Sequence, residues 1–403
     1  MSATATTSVI DSITEERCAE LLTQLIRERS VVGEETTAHR FMANQLRESG
    51  MRVEEYTVEN TPAPLVLGEL AGGNRPGVLY DGHFDTVFAV PADWTRPPFS
   101  AEREGDLIYG RGAVDSKGSV AAMLAALEAI SASGAELAGP LFFMSDSDGE
   151  RAFRGAALMS DLNIAARIGT IFSAEATSNE RIEIAYPGIS TWKITAVGRT
   201  AHPTEPDRGV NAVAKMAKLV QAVEEGRLVL RRGSSPWFEP RVTTNAIRTQ
   251  PGGGWSIPAS CDAVLSILSP IGVDLNDVRD DIDAFLRGLE ADDGDVRFER
   301  KLIPMGGGRL WLRPAEADPN HPGVLALSAA VRAVAGRAAK VGPFNGGWVD
   351  GAELMGADGT PVCLTFGPGD FERAHAVDEA ISVREVTEAA RIYAHATVEL
   401  LCN

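Results

Sequence analysis

The sequence predicts an α/β protein with a mixed, mostly parallel sheet flanked by helices and a smaller α+β domain inserted into it. Two observations lead to this prediction. Between residues 16 and 186, strand-like apolar runs alternate with helical segments, which is typical of a largely parallel sheet. From about residue 187 the order becomes strand, helix, strand, strand, helix, which is typical of a small two-layer domain. We therefore expect a main domain at 1–186 and 299–403 and an inserted domain at 187–298.

The first part of the chain supplies the elements of the main domain. Residues 16–49 have helical periodicity, and the apolar runs PLVLGEL and PGVLYDGHFDTV predict two strands. The segment DSKGSVAAMLAALEAISASG has the length and small apolar composition of a helix that ends at Gly134. GPLFFMSD and IGTIFSAEAT then predict two more buried strands.

The texture of the sequence changes after Tyr186. ISTWKITAVGRT alternates like a half-exposed strand, and GVNAVAKMAKLVQAVEEG has the pattern of an amphipathic helix. RVTTNAIRTQ and CDAVLSILSP predict strands, and LNDVRDDIDAFLRGLE predicts a second helix. From about Phe298 we expect the chain to return to the main domain, where the final helix VREVTEAARIYAHATVELL packs on the sheet.

The composition excludes several classes of partner. The formal net charge is −18, from 56 acidic and 38 basic side chains, so we expect no nucleic-acid partner. No apolar stretch reaches the roughly 18–20 residues of a membrane helix, and the N-terminus lacks the order of a secretory signal. The four cysteines have no paired spacing, which predicts reduced thiols and a cytoplasmic location.

Acidic and histidine side chains stand at the ends of several predicted strands and loops. His83 and Asp85 in YDGHFDTV lie two residues apart, so both face the same side of a strand at its carboxyl end. An imidazole there can bind a metal while the aspartate orients the ring. Asp115 follows a glycine-rich turn, Glu175 ends a strand, and His375 follows an apolar run. Together such residues predict a two-metal set, although each alone fits an ordinary cap or turn.

Other polar residues have simpler interpretations. His39 and His395 lie inside helical patterns and His321 lies in a turn, so we expect no functional role for them. The stretch from Asp146 to Glu150 has two interpretations when taken alone. It is either a metal site or a solvated turn after a strand.

The order of the motifs resembles one metallopeptidase family. GHFDTV, W…PPF…LIYGRGAVDSKG, the acidic turn, AEAT, GRTAHPTEPDRGVNAV and FGPGDFERAHAVDE occur in the order seen in that family. It includes acetylornithine deacetylase, succinyl-diaminopimelate desuccinylase and glutamate carboxypeptidase. The resemblance covers nearly the whole chain. It implies a zinc-peptidase-like catalytic domain, with an inserted lid and dimerisation domain through which a cytoplasmic homodimer forms.

The resemblance also implies the ligands of one or two divalent cations per chain, which are zinc, manganese or cobalt. One cation is held by His83, Asp115 and Glu175. The other is held by Asp115, Glu150 and His375, so that Asp115 bridges the two.

Further roles follow from the same resemblance. Asp85 is expected to orient His83, and the peptide bond between Asp115 and Ser116 is expected to be cis. His202 in TAHP matches a histidine that reaches across the dimer to polarise the scissile carbonyl.

The chain departs from the family pattern at the acidic turn. Members usually have Asp-Glu-Glu where this chain has Asp148-Gly149-Glu150, so the metal-binding glutamate is kept as Glu150. The first glutamate, the general base, is replaced by Gly149. We expect Asp148 or Asp146 to take over proton transfer, or the reaction to proceed without a dedicated carboxylate.

A second departure lies in the inserted domain. The family's Asn-x-x-Pro is here Trp255-Ser256-Ile257-Pro258, and a usual arginine is Leu268. Arg313 matches a carboxylate-binding arginine. An indole in place of polar groups favours a more apolar pocket that suits a flat or aromatic substrate.

The function implied is that of a metal-dependent hydrolase or deacylase that cleaves an amide-type C–N bond of a small carboxylated substrate with metal-activated water. Two alternatives stay open because the usual base is missing. One is an aminohydrolase that releases ammonia from an activated aromatic amine, such as a nitro-substituted aminobenzoate. The other is a non-catalytic homologue that binds metal and ligand.

Overall fold

The chain forms two compact units in the computed structural model. The structure describes residues 3–146, 148–151, 153–249, 255–305, 308–344, 347–356 and 359–402. The first unit contains Met1–Tyr186 and Glu316–Asn403, and the second contains Pro187–Ala315. The second unit therefore interrupts the first.

Ten α-helices lie within the described residues. They are α1 Ala3–Asp11, α2 Glu15–Arg27, α3 Thr36–Glu48, α4 Gly118–Ala132, α5 Arg154–Asp161, α6 Ala212–Glu224, α7 Leu275–Asp292, α8 Pro322–Ala335, α9 Asp350–Glu353 and α10 Val383–Cys402. Within the part of the chain that is described, we find no helix with the length and apolarity needed to span a bilayer.

Seventeen strands lie within the same described ranges. They are β1 Arg52–Tyr56, β2 Leu65–Leu70, β3 Gly77–His83, β4 Glu102–Glu104, β5 Leu107–Tyr109, β6 Leu141–Asp146, β7 Ile168–Ala174, β8 Arg181–Tyr186, β9 Gly188–Val197, β10 Arg241–Thr249, β11 Ser260–Ser269, β12 Arg297–Ile303, β13 Trp311–Leu312, β14 Ala315–Glu316, β15 Lys340–Pro343, β16 Val362–Phe366 and β17 Ala380–Ser382.

The first unit is built on a mixed sheet with a parallel centre, as the sequence predicts. Its strands run in the order β1, β2, β6, β3, β7, β16, β8, β14, and β15 also pairs with β8. The pairs β6–β3, β3–β7 and β7–β16 are parallel, whereas β1 and β2 join antiparallel at one side. All seven residues of β3 are buried, which is typical of a strand covered on both faces.

Helices cover this sheet. α4 is buried at every position from Gly118 to Leu127, which explains its small apolar side chains. α10 packs as predicted, since the hydroxyls of Thr397 on α10 and Tyr80 on β3 are hydrogen-bonded at 2.7 Å. The helical periodicity of residues 16–49 corresponds to two helices, α2 and α3, rather than one.

The second unit is a two-layer α+β structure. Its antiparallel sheet has the order β10, β11, β9, β12, and β13 pairs with β9. Helices α6 and α7 contribute Leu219, Ile282 and other apolar side chains to a core that they share with the buried face of this sheet. An Asp274–Asp277 capping box starts α7.

The predicted return of the chain at residue 299 needs correction. Residues after Phe298 continue in the second unit, because β12 and β13 both pair antiparallel with β9. The first unit resumes only at Glu316. The first boundary of the insertion lies between Tyr186 and Pro187.

The parallel centre of the first sheet brings several chain segments together. β3, β6 and β7 point the same way, and His83 is in register with Asp146 at the last position of β6. Residues at or just beyond these strand ends therefore meet at one edge, where open α/β sheets place their sites.

Candidate metal centre

The first group of candidate ligands surrounds His83 at the end of β3. Its Nε2 lies 3.2 Å from Oδ1 of Asp115 and 3.6 Å from Oε1 of Glu175. Glu175 directly follows β7, and Asp115 precedes α4. All three side chains are buried, and their nearest ligand atoms lie within 4.8 Å of one another.

A second group shares the same aspartate. The Nε2 of His375 lies 3.2 Å from Oδ2 of Asp115 and 3.1 Å from Oε1 of Glu150. The two oxygens of Asp115 therefore face different histidines, which is the arrangement of a bridging carboxylate. The side chain of His375 is 47% exposed, whereas that of Asp115 is 9% exposed, so the centre is open on the His375 side.

The charges of these groups fit divalent cations. Burial, with Asp115 nearby, raises the pKa of Glu175 to about 8. The carboxylates of Asp115 and Glu150 raise the pKa of His375 to about 10. Burial works against the charged form of His83, but its hydrogen bond with Asp115 still raises its pKa. A divalent cation that binds to such groups displaces the protons they carry.

Asp115, the candidate shared by both groups, lies on an unusual stretch of backbone. The peptide bond between Asp115 and Ser116 is cis, as the resemblance implies. The hydroxyl of Ser116 donates to the carbonyl oxygen of His83 at 3.2 Å. This hydrogen bond joins the two ligand-bearing segments directly.

Asp85 contacts both the first histidine and the acidic turn. The Nδ1 of His83 lies 3.0 Å from the carbonyl oxygen of Asp85 and 3.5 Å from its carboxylate. That carboxylate accepts hydrogen bonds from the backbone N–H groups of Gly149 at 3.1 Å and Glu150 at 3.0 Å. Asp85 therefore holds the ring of one candidate ligand, His83, and the backbone of another, Glu150.

Gly149 faces inward, against the first histidine. A Cβ atom built on it would lie 2.5 Å from Cγ of His83, closer still to Cβ of His83, and 2.9 Å from Oδ2 of Asp350. Asp350 belongs to α9 and is buried. No side chain fits at position 149 unless His83 or its neighbours move.

The remaining acids of the turn are occupied or buried. Asp148 is buried, and its two oxygens accept from Nε and Nη2 of Arg154 at 2.8 and 2.7 Å. This pairing argues against the predicted role of Asp148 as a proton acceptor. Asp146 is also buried, beneath Gly155 of α5, and Ser147 lies outside the described residues. The turn is therefore not a solvated one, and its Glu150 belongs to the second ligand group.

Comparison with known proteins gives the relationship of this chain. The profile of "Peptidase family M20/M25/M40" matches residues 79–399. The chain belongs to this family. It is accordingly a metallohydrolase that acts on carbon–nitrogen bonds, and the resemblance seen in the sequence motifs is confirmed.

Individual relatives in the M20 family differ in what they act on. The chain is 29% identical over 382 residues to N-formyl-4-amino-5-aminomethyl-2-methylpyrimidine deformylase of Bacillus subtilis, covering 87% of this chain and 86% of that protein. It is 30% identical over 385 residues to succinyl-diaminopimelate desuccinylase of Methylorubrum populi, covering 92% and 94%. A solved dinuclear metal binding peptidase of the family from Bacillus subtilis has a TM-score of 0.70 at 15% identity, covering 96% and 98%.

The other site residues that the sequence predicts for this member of the M20 family lie in the second unit. His202 is exposed, and its Nδ1 accepts from the backbone N–H of Thr204 at 3.3 Å. Trp255 is 82% exposed. Leu268 on β11 is half-buried, and Arg313 is exposed. Their predicted roles towards substrate stay predictions.

Histidines outside the centre have structural surroundings. His39 is buried on α3, with its ring 6.3 Å from that of Phe84. The ring of His321 caps the start of α8 by accepting from the N–H of Gly323. Each of these two histidines thus has a packing or capping contact of its own.

Two buried charged residues beside the centre were not predicted from the sequence. Arg111 lies in the glycine-rich turn before Asp115, and Glu379 follows His375 by four positions. A signal for them was present, since each is a charged side chain inside a ligand-bearing motif. The contact between them joins positions 268 residues apart, which local patterns do not reveal.

Proposed function

We propose that the chain hydrolyses an amide-type C–N bond of a small carboxylated molecule at a centre for two divalent cations. The observation that supports this is the sharing of Asp115 between two ligand groups, one with His83 and Glu175 and one with Glu150 and His375. When bound, such cations polarise a carbonyl and lower the pKa of water towards about 7. Zinc, manganese and cobalt all suit these histidine and carboxylate ligands.

We further propose that this centre works without a general base at position 149. A glycine offers no proton acceptor there, and its surroundings leave no space for one. Asp148 is paired with Arg154, so we assign it a positioning role. Help from a general base is worth roughly 10²–10⁴-fold in rate. A substrate whose C–N bond is already activated is therefore favoured over an ordinary peptide.

The lack of a general base at position 149 favours a second candidate function. An aminohydrolase would replace the amino group of an activated aromatic amine, such as a nitro-substituted aminobenzoate, with a hydroxyl group and release ammonia. The aromatic amine and one water molecule are converted to a phenol and ammonia, so the atoms of the reaction balance. Trp255, Leu268 and Arg313 would contact the ring and its carboxylate in either candidate, through stacking, apolar contact and charge.

Three further proposals concern the state of the protein. We propose a homodimer formed through the second unit, because β10 is an edge strand of its sheet and its Ile247 is 52% exposed. Edge strands offer backbone groups to another copy. In such a dimer His202 would act on the partner's substrate carbonyl. We also propose a cytoplasmic location, which suits a chain whose four cysteines have no paired spacing in the sequence.

A mass-resolved product screen tests the proposed reaction. Protein loaded with zinc, manganese or cobalt is incubated with pooled N-acyl amino acids, dipeptides and carboxylated aromatic amines. Loss of an acyl or amino-acid fragment supports the amide hydrolase. Exchange of an amine for a hydroxyl, with ammonia released and no fragment lost, supports the aminohydrolase.

Two controls make this screen decisive. Metal analysis of the same samples counts the ions per chain, and zero bound metal would contradict the proposed centre. A His375→Ala variant, which removes one ligand from the second group, is expected to lose turnover in every positive reaction. Light scattering on the wild type tests the dimer, and a monomer at all concentrations would contradict it.

A further inference from the structure

Arg111 and Glu379 form a buried ion pair beside the candidate metal centre. Nη1 of Arg111 donates to Oε2 of Glu379 at 2.6 Å, and the two side chains are 4% and 0% exposed. Removing one partner of such a pair leaves an uncompensated buried charge. The other hydrogen bonds of these two side chains show which parts of the backbone the pair holds in place.

The carboxylate of Glu379 binds the backbone that leads to the bridging ligand. Its Oε1 accepts from the N–H groups of Val114 at 2.7 Å and Asp115 at 3.2 Å. Its Oε2 accepts from the N–H of Gly112 at 3.0 Å. One side chain thus fixes the segment from Gly112 to Asp115, and with it the direction in which the carboxylate of Asp115 points.

The guanidinium of Arg111 reaches the backbone of the other histidine ligand. Its Nη2 donates to the carbonyl oxygen of His375 at 3.2 Å. The same guanidinium lies over the ring of Trp94, 5.1 Å from its centre, which limits its movement. The ion pair therefore links the backbones of Asp115 and His375, two of the three candidate ligands of the second group.

The two ligand groups differ in how else they are held. In the first group, His83 ends β3 and Glu175 follows β7, so the central sheet positions both. In the second group, His375 lies in a loop with a φ of +61° and an exposed side chain. A loop residue in the left-handed region depends on surrounding contacts to stay there. The second group therefore depends more on the Arg111–Glu379 pair than the first does.

We propose that Arg111 and Glu379 are positioning residues that set the affinity of the second cation position, His375 with Glu150 and Asp115, separately from the first. The pair does this by fixing the backbone of His375 relative to that of Asp115. This inference rests on the proposed two-cation centre. Neither residue acts on substrate.

Titration of the metal-free full-length protein with Co²⁺ tests this inference. Binding is followed by the visible absorption of the ion and by metal analysis. The variants are Glu379→Gln, which removes the charge at nearly constant shape, and Arg111→Lys, which keeps a charge but loses the forked contacts. His375→Ala shows the absorption of an ion at the first position alone.

The wild type is expected to bind two ions. In both variants the affinity of the second position is expected to fall by about 10–100-fold, the usual effect of losing a residue that orients a ligand, while the first position changes much less. Glu128→Gln is the matched control. It makes the same substitution in a partly exposed ion pair, the one that Glu128 forms with Arg17 through two hydrogen bonds between α2 and α4, and is expected to leave both affinities unchanged.

Each other result would overturn the inference. Two unchanged affinities in folded Glu379→Gln and Arg111→Lys would show that the pair does not position the ligands, while the proposed function would survive. Equal weakening of both positions would show that the pair has no preference for the second. A wild type that binds fewer than two ions would remove the second position, and with it the proposed two-cation function.

Discussion

Replacing Gly149 with alanine is expected to damage the first ligand group, although it adds a single methyl group. The new Cβ would lie 2.5 Å from Cγ of His83 and 2.9 Å from Oδ2 of Asp350. Carbon atoms in contact normally lie about 3.5–4.0 Å apart, so the ring or the turn must move by roughly 1 Å. Metal and catalytic groups tolerate misplacement of only about 0.5 Å.

Two effects of Gly149→Ala can be estimated from this displacement. Adding a methyl group to such a packed position lowers the free energy of unfolding by roughly 1–3 kcal/mol. The shift of His83 should also weaken the binding of the first cation. Urea unfolding measures the former, and Co²⁺ titration of the metal-free protein measures the latter. Gly149→Glu is expected to show the same losses and to gain no peptidase activity, because its Cβ meets the same atoms.

Gly342→Ala is the matched control for this change. Gly342 lies on β15 of the same unit, and a Cβ there would meet no described atom within 4 Å. Alanine at such a position is expected to be neutral or to stabilise by up to about 1 kcal/mol. If Gly149→Ala unfolds and binds Co²⁺ as Gly342→Ala does, position 149 has room for a side chain, and contact with His83 is not the reason for its glycine.

Three more outcomes follow from the structure. Burial lowers the pKa of His39 to about 4, below its ordinary value of 6.5, so the unfolded chain takes up a proton at a higher pH than the folded chain does. The free energy of unfolding is therefore unaffected by this group above pH 6.5 and falls below that pH, by about 2 kcal/mol at pH 5. Urea unfolding at pH 7 and 5 should show this loss in the wild type, and His39→Leu should reduce it. Asp85→Asn places an amide N–H against the N–H of Gly149 or Glu150, so Co²⁺ affinity should fall about 10–100-fold, and an unchanged titration would contradict this. Metal removal by a chelator should lower the unfolding temperature, since a ligand at 100 times its Kd stabilises by about 2.7 kcal/mol, and equal melting curves would refute bound metal.

Periodicity was sufficient to predict the fold class of both units. Apolar runs such as those of β3 and β7 are long enough to identify buried strands, and α4 shows its small apolar residues plainly. The second boundary was missed because a strand's pattern indicates burial but does not identify its partner. β12 pairs antiparallel with β9, and only the three-dimensional structure shows this pairing.

The candidate ligands were predictable because each closes a recognisable motif. Their surroundings were not, because contacts between distant segments decide them. Asp148 was a reasonable proton acceptor in the sequence, but the turn into α5 brings Arg154 onto both of its oxygens. The space at Gly149 likewise depends on His83, which comes from another strand.

The interruption of the first unit also determines the order in which the candidate metal ligands are translated. The ligands of the first group, ending with Glu175, are all translated before the second unit begins at Pro187. His375 follows Glu150 by 225 positions. The whole inserted unit is therefore translated before His375. Because domains generally fold as they emerge from the ribosome, that unit can fold before this last candidate ligand is made. The proposed second cation position is therefore the last part of the centre that translation would complete.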